Sequence, residues 1–196
     1  MASKTFSPGI WLAVMVAALG YFVDVFDLVL FGVLRTDSLA ALGYSKTGDE
    51  GIWLINLQMA GMLVGGIIWG MLGDKRGRLS VLFGSILLYS LANIANAFVT
   101  EFYGYAVCRV FAGLGLAGEL GAGITLVSEL MKKEKRGYGT MLVAGVGVSG
   151  AIIATYMGEW YDWRTCYLIG GGLGLLLLVL RIAVRESGMF RKLEEK

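Results

Sequence analysis

The stretch Gly70-Met-Leu-Gly-Asp74-Lys75-Arg76-Gly77-Arg78 packs four charges into the passage between two apolar runs, 51–72 and 79–98. About 20 mostly apolar residues suffice to cross the hydrocarbon core of a bilayer as a helix. Two such runs with so short a connection are neighbouring antiparallel spans. Outward from this pair, the same test finds six spans, at 10–33, 51–72, 79–98, 102–128, 138–158 and 164–185. The breaks between them are short and polar, at 36–50, 73–78, 100–101, 132–137 and 159–162. The reading is an all-α membrane protein: a six-helix bundle over 1–190, with 191–196 as the start of a cytoplasmic tail or linker.

Composition agrees. Of 196 residues, 57% are hydrophobic and 16% charged, too few charges to clothe a soluble domain of this length. The 30 glycines accompany a single proline and sit within apolar runs, which suits close helix packing in lipid rather than disorder. One lysine precedes Ile10 and no small-residue cleavage site follows, so the first span reads as retained.

Lysine and arginine set the orientation, because cytoplasmic loops hold the excess. With the N-terminus inside, the inner loops and tails collect thirteen: Lys4, Lys75, Arg76, Arg78, Lys132, Lys133, Lys135, Arg136, Arg181, Arg185, Arg191, Lys192 and Lys196. The outer loops collect three: Arg35, Lys46 and Arg164. Both termini are therefore expected in the cytoplasm, and the chain in a plasma or inner membrane. The five tryptophans fall toward span ends, where amphipathic rings favour the headgroup zone.

An ionisable side chain in the bilayer core costs at least about 2.5–3.5 kcal/mol on insertion scales, so each one needs a reason. Four stand out: Asp24 and Asp27 in the first span, Arg109 and Glu119 in the fourth. The two aspartates, three residues apart, share a helix face, and two carboxylates in a dry site resist ionising together. A nearby Arg109 would favour the ionised form, and that competition is what a proton switch requires. The alternative is a structural ion pair. Glu119 reads equally as a second proton site or a packing residue. Gln58 and Asn93 join the candidate cavity; they, Asn56 and Asn96 also suit interhelical hydrogen bonding.

The 70–78 stretch resembles the signature loop of the major facilitator superfamily. Gly70, Asp74, Lys75, Gly77 and Arg78 match, while Leu79 replaces a usual basic residue. Glu129 followed seven positions later by Arg136-Gly137 is similar to the motif joining helices four and five. The run from Arg109 to Glu119 resembles the fourth helix of metabolite–proton symporters and sugar porters. Asp24-Val-Phe-Asp27 resembles the first-helix motif of aromatic-acid–proton symporters, with Val25 in place of glycine. Trp163-Arg164 and Glu186-Ser187 continue the likeness without the prolines usual at the latter.

The resemblance implies the N-terminal half of the facilitator fold, two inverted three-helix repeats. It implies a cytoplasmic gate of Asp74, Arg78, Glu129 and Arg136, and a proton-sensitive Asp27–Arg109 pair beside a central cavity. Helix five offers Gly145, Gly147 and Gly150 but no antiporter proline, which favours symport. A second six-helix bundle is an implied partner, either a C-terminal half or a second copy. The chain then reads as a fragment, a dimerising half-size transporter or an isolated domain, and Arg191-Lys-Leu-Glu-Glu-Lys resembles a linker start.

The expected function is proton-driven symport of a small polar or anionic solute by alternating access. Facilitated diffusion or exchange, and a non-transporting scaffold or sensor, are the alternatives. An enzyme is disfavoured, as G-x-G-x-x-G-like spacing falls inside apolar spans, not between a strand and a helix, and no nucleophile–base set is evident. With no histidine and only Cys108 and Cys166, no metal, cofactor or disulfide is expected. A net charge of +2 without aromatic-interleaved basic stretches argues against nucleic acid.

Overall fold

The computed structural model describes residues 8–45, 48–130 and 136–186. Over these the chain forms six helices and no strand: α1 (Pro8–Ala41), α2 (Glu50–Arg76), α3 (Arg78–Asn96), α4 (Phe102–Leu130), α5 (Arg136–Trp160) and α6 (Trp163–Glu186). Helices follow from the apolar composition, since a chain in lipid must satisfy its backbone groups internally. Pro8 stands at the first helical position of α1, where its missing N–H costs nothing.

Two connections differ from the sequence expectation. The first helix runs eight residues beyond the expected span, through Thr36-Asp37-Ser38. Ser38 donates to the Arg35 carbonyl at 3.0 Å and shares a 2.9 Å hydrogen bond with the Tyr105 hydroxyl, while Leu39 is buried. Polar residues with partners like these do not stop a helix. It ends instead at Gly43, whose φ of +87° permits the Tyr44 N–H to reach the Leu39 carbonyl at 2.9 Å. The 73–78 break shrinks to Gly77 alone: Asp74, Lys75 and Arg76 remain helical, and the joint is made by a φ of +82°.

The C-terminal end of α3 and the start of α6 are tied together. Arg164 donates to the Ala97 carbonyl at 2.7 Å and to the Val99 carbonyl at 3.2 Å, supplying donors to backbone at the end of α3. Its guanidinium also lies 4.4 Å from the Trp163 ring centroid. Asp162 opens α6, accepting from the Arg164 and Thr165 N–H groups at 3.1 and 3.2 Å and from the Thr165 hydroxyl at 2.6 Å. The Thr165 hydroxyl, with these backbone donors, holds the exposed Asp162 carboxyl below the usual carboxylate range.

Part of the packing repeats when α1–α3 are exchanged with α4–α6, although α3 lies against α4 far more extensively than α6 does against α1. As α1 lies chiefly against α5, so α4 lies against α2, while α1–α4 and α3–α6 close the bundle. Glycine makes the α2–α4 seam a backbone-to-backbone contact. A Cβ built at Gly61 would strike the Val110 carbonyl oxygen, and one at Gly113 the Gln58 carbonyl oxygen. At Gly65 it would lie 2.6 Å from the Leu114 carbonyl oxygen.

Four helices, α1, α2, α5 and α6, are long and apolar enough to cross a membrane by length and composition. The apolar part of α3 is shorter, Ser80–Asn96, and α4 carries Arg109 and Glu119. Burial differs sharply among them: 61% of the apolar window of α1 is buried, against 28% in α2 and 22% in α5. Those two helices expose large side chains such as Leu63, Ile67 and Met71, and Met141, Val148 and Ile152. Apolar surface of that extent calls for lipid or a second protein surface.

Candidate functional site

Five charged side chains are buried among the described residues: Asp24, Asp27, Arg109, Glu119 and Arg181. They fall into two layers separated by about 15 Å along α4, the ten residues from Arg109 to Glu119 at 1.5 Å each.

In the first layer, Arg109 Nη1 of α4 lies 3.7 Å from Asp27 Oδ2 of α1, both side chains wholly buried. Its Nη2 donates to Asn93 Oδ1 of α3 at 2.6 Å. Gln58 of α2 donates to Asp27 Oδ2 at 3.5 Å, and Tyr89 of α3 also faces that carboxylate. The guanidinium carbon sits 5.1 Å from the Phe31 ring centroid and 4.8 Å from that of Tyr167, within cation–π range. The Tyr167 hydroxyl bonds Tyr105 at 2.7 Å, and Tyr105 bonds Ser38, a buried hydroxyl chain leading away from the pair. This arrangement provides a charge pair with polar partners on several helices in a site closed to solvent. Such a pair responds to a proton through the balance of attraction and desolvation.

The second layer turns on a residue that the sequence count had assigned to the inner loops. Arg181 is buried in α6 and pairs with Glu119 through Nη2–Oε2 and Nη1–Oε1 contacts of 2.7 Å each. It also donates to the Leu82 carbonyl at 3.0 Å, and Ser85 donates to Glu119 Oε1 at 2.8 Å. Glu119, expected as either a second proton site or a packing residue, sits in a hydrogen-bonded ion pair. Removing Arg181 from the inner count leaves twelve against three, so the asymmetry survives.

Asp24 and Asp27 are both buried on α1, but they belong to different neighbourhoods. Asp27 has Arg109 at 3.7 Å, whereas Asp24 lies one turn after Gly20, where a Cβ would meet Arg181 Nη2 and Glu119 Oε2. Gln58 and Asn93 are brought into the first layer; Asn56 is exposed, and Asn96 is buried near Tyr105. Sequence reasoning missed Phe31, Tyr89, Tyr105 and Tyr167 around the charges, since an aromatic in an apolar run carries no mark of what it faces. The one sign Arg181 carried was its place inside the expected span 164–185, four residues from its end.

The 70–78 stretch occupies the α2–α3 joint, with Gly70, Asp74, Lys75 and Gly77 exposed. Gly137 is exposed in the first turn of α5. The side chains of Arg78, Glu129 and Arg136, expected in the same gate, lie outside the described residues, as do 131–135 and 187–196.

Against known proteins, the profile of the Major Facilitator Superfamily matches residues 10–195. A Haemophilus influenzae protein named for metabolite transport is 32% identical over 194 residues, covering 97% of this chain and 47% of the relative. The niacin transporter NiaP of Acinetobacter baylyi is 30% identical over 176 residues, covering 88% of this chain and 40% of that protein. The chain thus spans about half the length of the curated relatives it matches. Among solved structures, the proton:xylose symporter XylE of E. coli superposes with a TM-score of 0.76 at 16% identity, covering 89% of this chain and 44% of XylE, a likeness of fold. The family and its curated relatives are membrane transporters, not enzymes. With six helices in two inverted sets of three and a family match over nearly its whole length, the chain belongs to the major facilitator superfamily.

Proposed function

We propose that this chain is one bundle of a secondary active transporter that carries a small polar or anionic solute by alternating access, with proton symport as the driving reaction. The observation that carries the reading is the wholly buried Asp27–Arg109 pair, ringed by Gln58, Asn93 and Tyr89. Protonation of Asp27 frees the charge of Arg109, which Asn93 holds in place, for an anionic solute, and loss of the proton restores the pair. The buried arginine suits an anion such as a carboxylate, the chemistry of niacin carried by the relative named for it. Asp24, one turn away, is the second carboxylate of the coupling region.

The partner is a second six-helix bundle, a C-terminal half or another copy, docked on the exposed apolar sides of α2 and α5. Asp74, Arg78, Glu129 and Arg136 form the gate on the cytoplasmic side, with Gly70, Lys75, Gly77 and Gly137 shaping its loops. The twelve-to-three charge bias supports a plasma or inner membrane location with both termini cytoplasmic.

Proteoliposomes holding the protein and supplied with niacin test the coupling: external alkalinisation should follow solute addition and vanish in Asp27→Asn. Uptake indifferent to a pH gradient, with Asp27→Asn unimpaired, would defeat it. Facilitated exchange through the same polar path is separated by counterflow that persists when the gradient is collapsed.

A further inference from the structure

Among the described residues the buried charges do not balance. Asp24, Asp27 and Glu119 are three acids, and Arg109 and Arg181 two bases, so full ionisation would leave one uncompensated negative charge inside the bundle. Arg109 answers Asp27, and Arg181 is committed to Glu119 by two 2.7 Å contacts. Asp24 is left over. It is 4% exposed, and neither of its carboxylate oxygens has a hydrogen-bond partner. A buried carboxylate in that position takes up a proton rather than bear the cost of an unpaired charge.

Its neighbours make it more than a neutral side chain. Gly20, one turn before Asp24 on the same face of α1, lets the Glu119–Arg181 pair approach. A Cβ there would lie 2.5 Å from Arg181 Nη2 and 3.1 Å from Glu119 Oε2. The Arg181 Nε–H has no partner, so one guanidinium donor of the pair is unspent. The titratable groups near enough to act on Asp24 are Tyr89 of α3, Glu119 of α4, Arg181 of α6 and Asp27 of α1 itself. From α5, Gly147 and Gly150 meet the adjoining Tyr21 and Phe22, and α2 offers Gln58 at the Asp27 level.

We infer that Asp24, Glu119 and Arg181 form a second proton-binding site, distinct from the Asp27–Arg109 pair, in which Asp24 carries the proton and Arg181 is the shared counter-ion. When the Asp24 O–H bond breaks, the proton leaves to water and the carboxylate turns to the free Nε–H of Arg181. Arg181 then serves two carboxylates across α1, α4 and α6. Rebinding the proton returns Arg181 to Glu119 alone.

The inference does not depend on transport or on Asp27. It is tested by infrared spectroscopy of the purified full chain at neutral pH, where a protonated carboxyl group shows its own carbonyl band. The band should be present, should move on 13C-aspartate labelling but not on 13C-glutamate labelling, should vanish in Asp24→Asn and should persist in Asp27→Asn. In Arg181→Gln, Glu119 loses its counter-ion and a second acid band should appear, raising the area about twofold. A wild-type protein without the band, a band that follows the glutamate label, or one unchanged by Asp24→Asn overturns the assignment. The labelling arm uses the unmodified protein and answers even where a variant fails to fold.

Discussion

Arg109 holds Asn93 more closely than it holds Asp27: 2.6 Å to the amide oxygen against 3.7 Å to the carboxylate. The guanidinium is thus anchored by a neutral acceptor that no proton can take from it, and it keeps its place while Asp27 changes charge. Asn93→Ala should cost about 1–3 kcal/mol, the penalty for stranding a buried donor. Chemical unfolding in detergent measures it, and an unchanged midpoint would dissociate Asn93 from Arg109. Arg109→Lys should not substitute, because a compact ammonium cannot reproduce the planar contacts with Phe31 and Tyr167.

The Glu119–Arg181 pair is sequestered from water, where removing one partner strands the other charge. Glu119→Gln and Arg181→Met should each destabilise by about 3–5 kcal/mol. The double variant should cost less than the two singles together, since it leaves no buried charge unmatched. A double-mutant cycle reads the difference; strict additivity would contradict the geometry.

Glycine substitutions should divide by what the new methyl meets. Gly61→Ala and Gly113→Ala drive a Cβ into a facing carbonyl on a helix that cannot yield, and about 1–3 kcal/mol of overpacking is expected from each. At Gly172, exposed with nothing within 4 Å, alanine should instead stabilise by about 0.5–1 kcal/mol through helix propensity. Thermal unfolding of the three variants should order them accordingly, and equal shifts would refute the α2–α4 seam.

Asp162→Ala should remove the cap of α6 at a cost of about 0.5–2 kcal/mol. Because the folded carboxyl titrates below its unfolded value, the cap contributes fully above the unfolded pKa and fades as pH falls through the folded one. Wild type and variant should therefore converge in stability on acidification, and a gap that widens in acid would reverse the sign.

The six helices were legible because each rests on a largely apolar run set off by short polar breaks. Asp27 and Arg109 were legible for the opposite reason, as charges where charge is costly. Arg181 was not, because a basic residue near a span end ordinarily reaches for the headgroups. Only the tertiary placement of Glu119 draws it inward. The 73–78 turn misled because its glycines and charges look like a loop, whereas one left-handed residue, Gly77, suffices to reverse the chain. Asp24 and Asp27 share a face, as their spacing required, yet periodicity along α1 says nothing of which helix stands opposite each.

Backbone meets backbone where Gly61 and Gly65 face Val110 and Leu114, and where Gly113 faces Gln58. At these glycines sliding α2 past α4 would drive backbone into backbone, which favours the two helices moving together. Arg109 rides on that pair, one residue before the Val110 carbonyl. A swing of the exposed wall of α2 that takes α4 with it therefore carries the guanidinium too, so that a push on the outside of the bundle arrives at its charged centre.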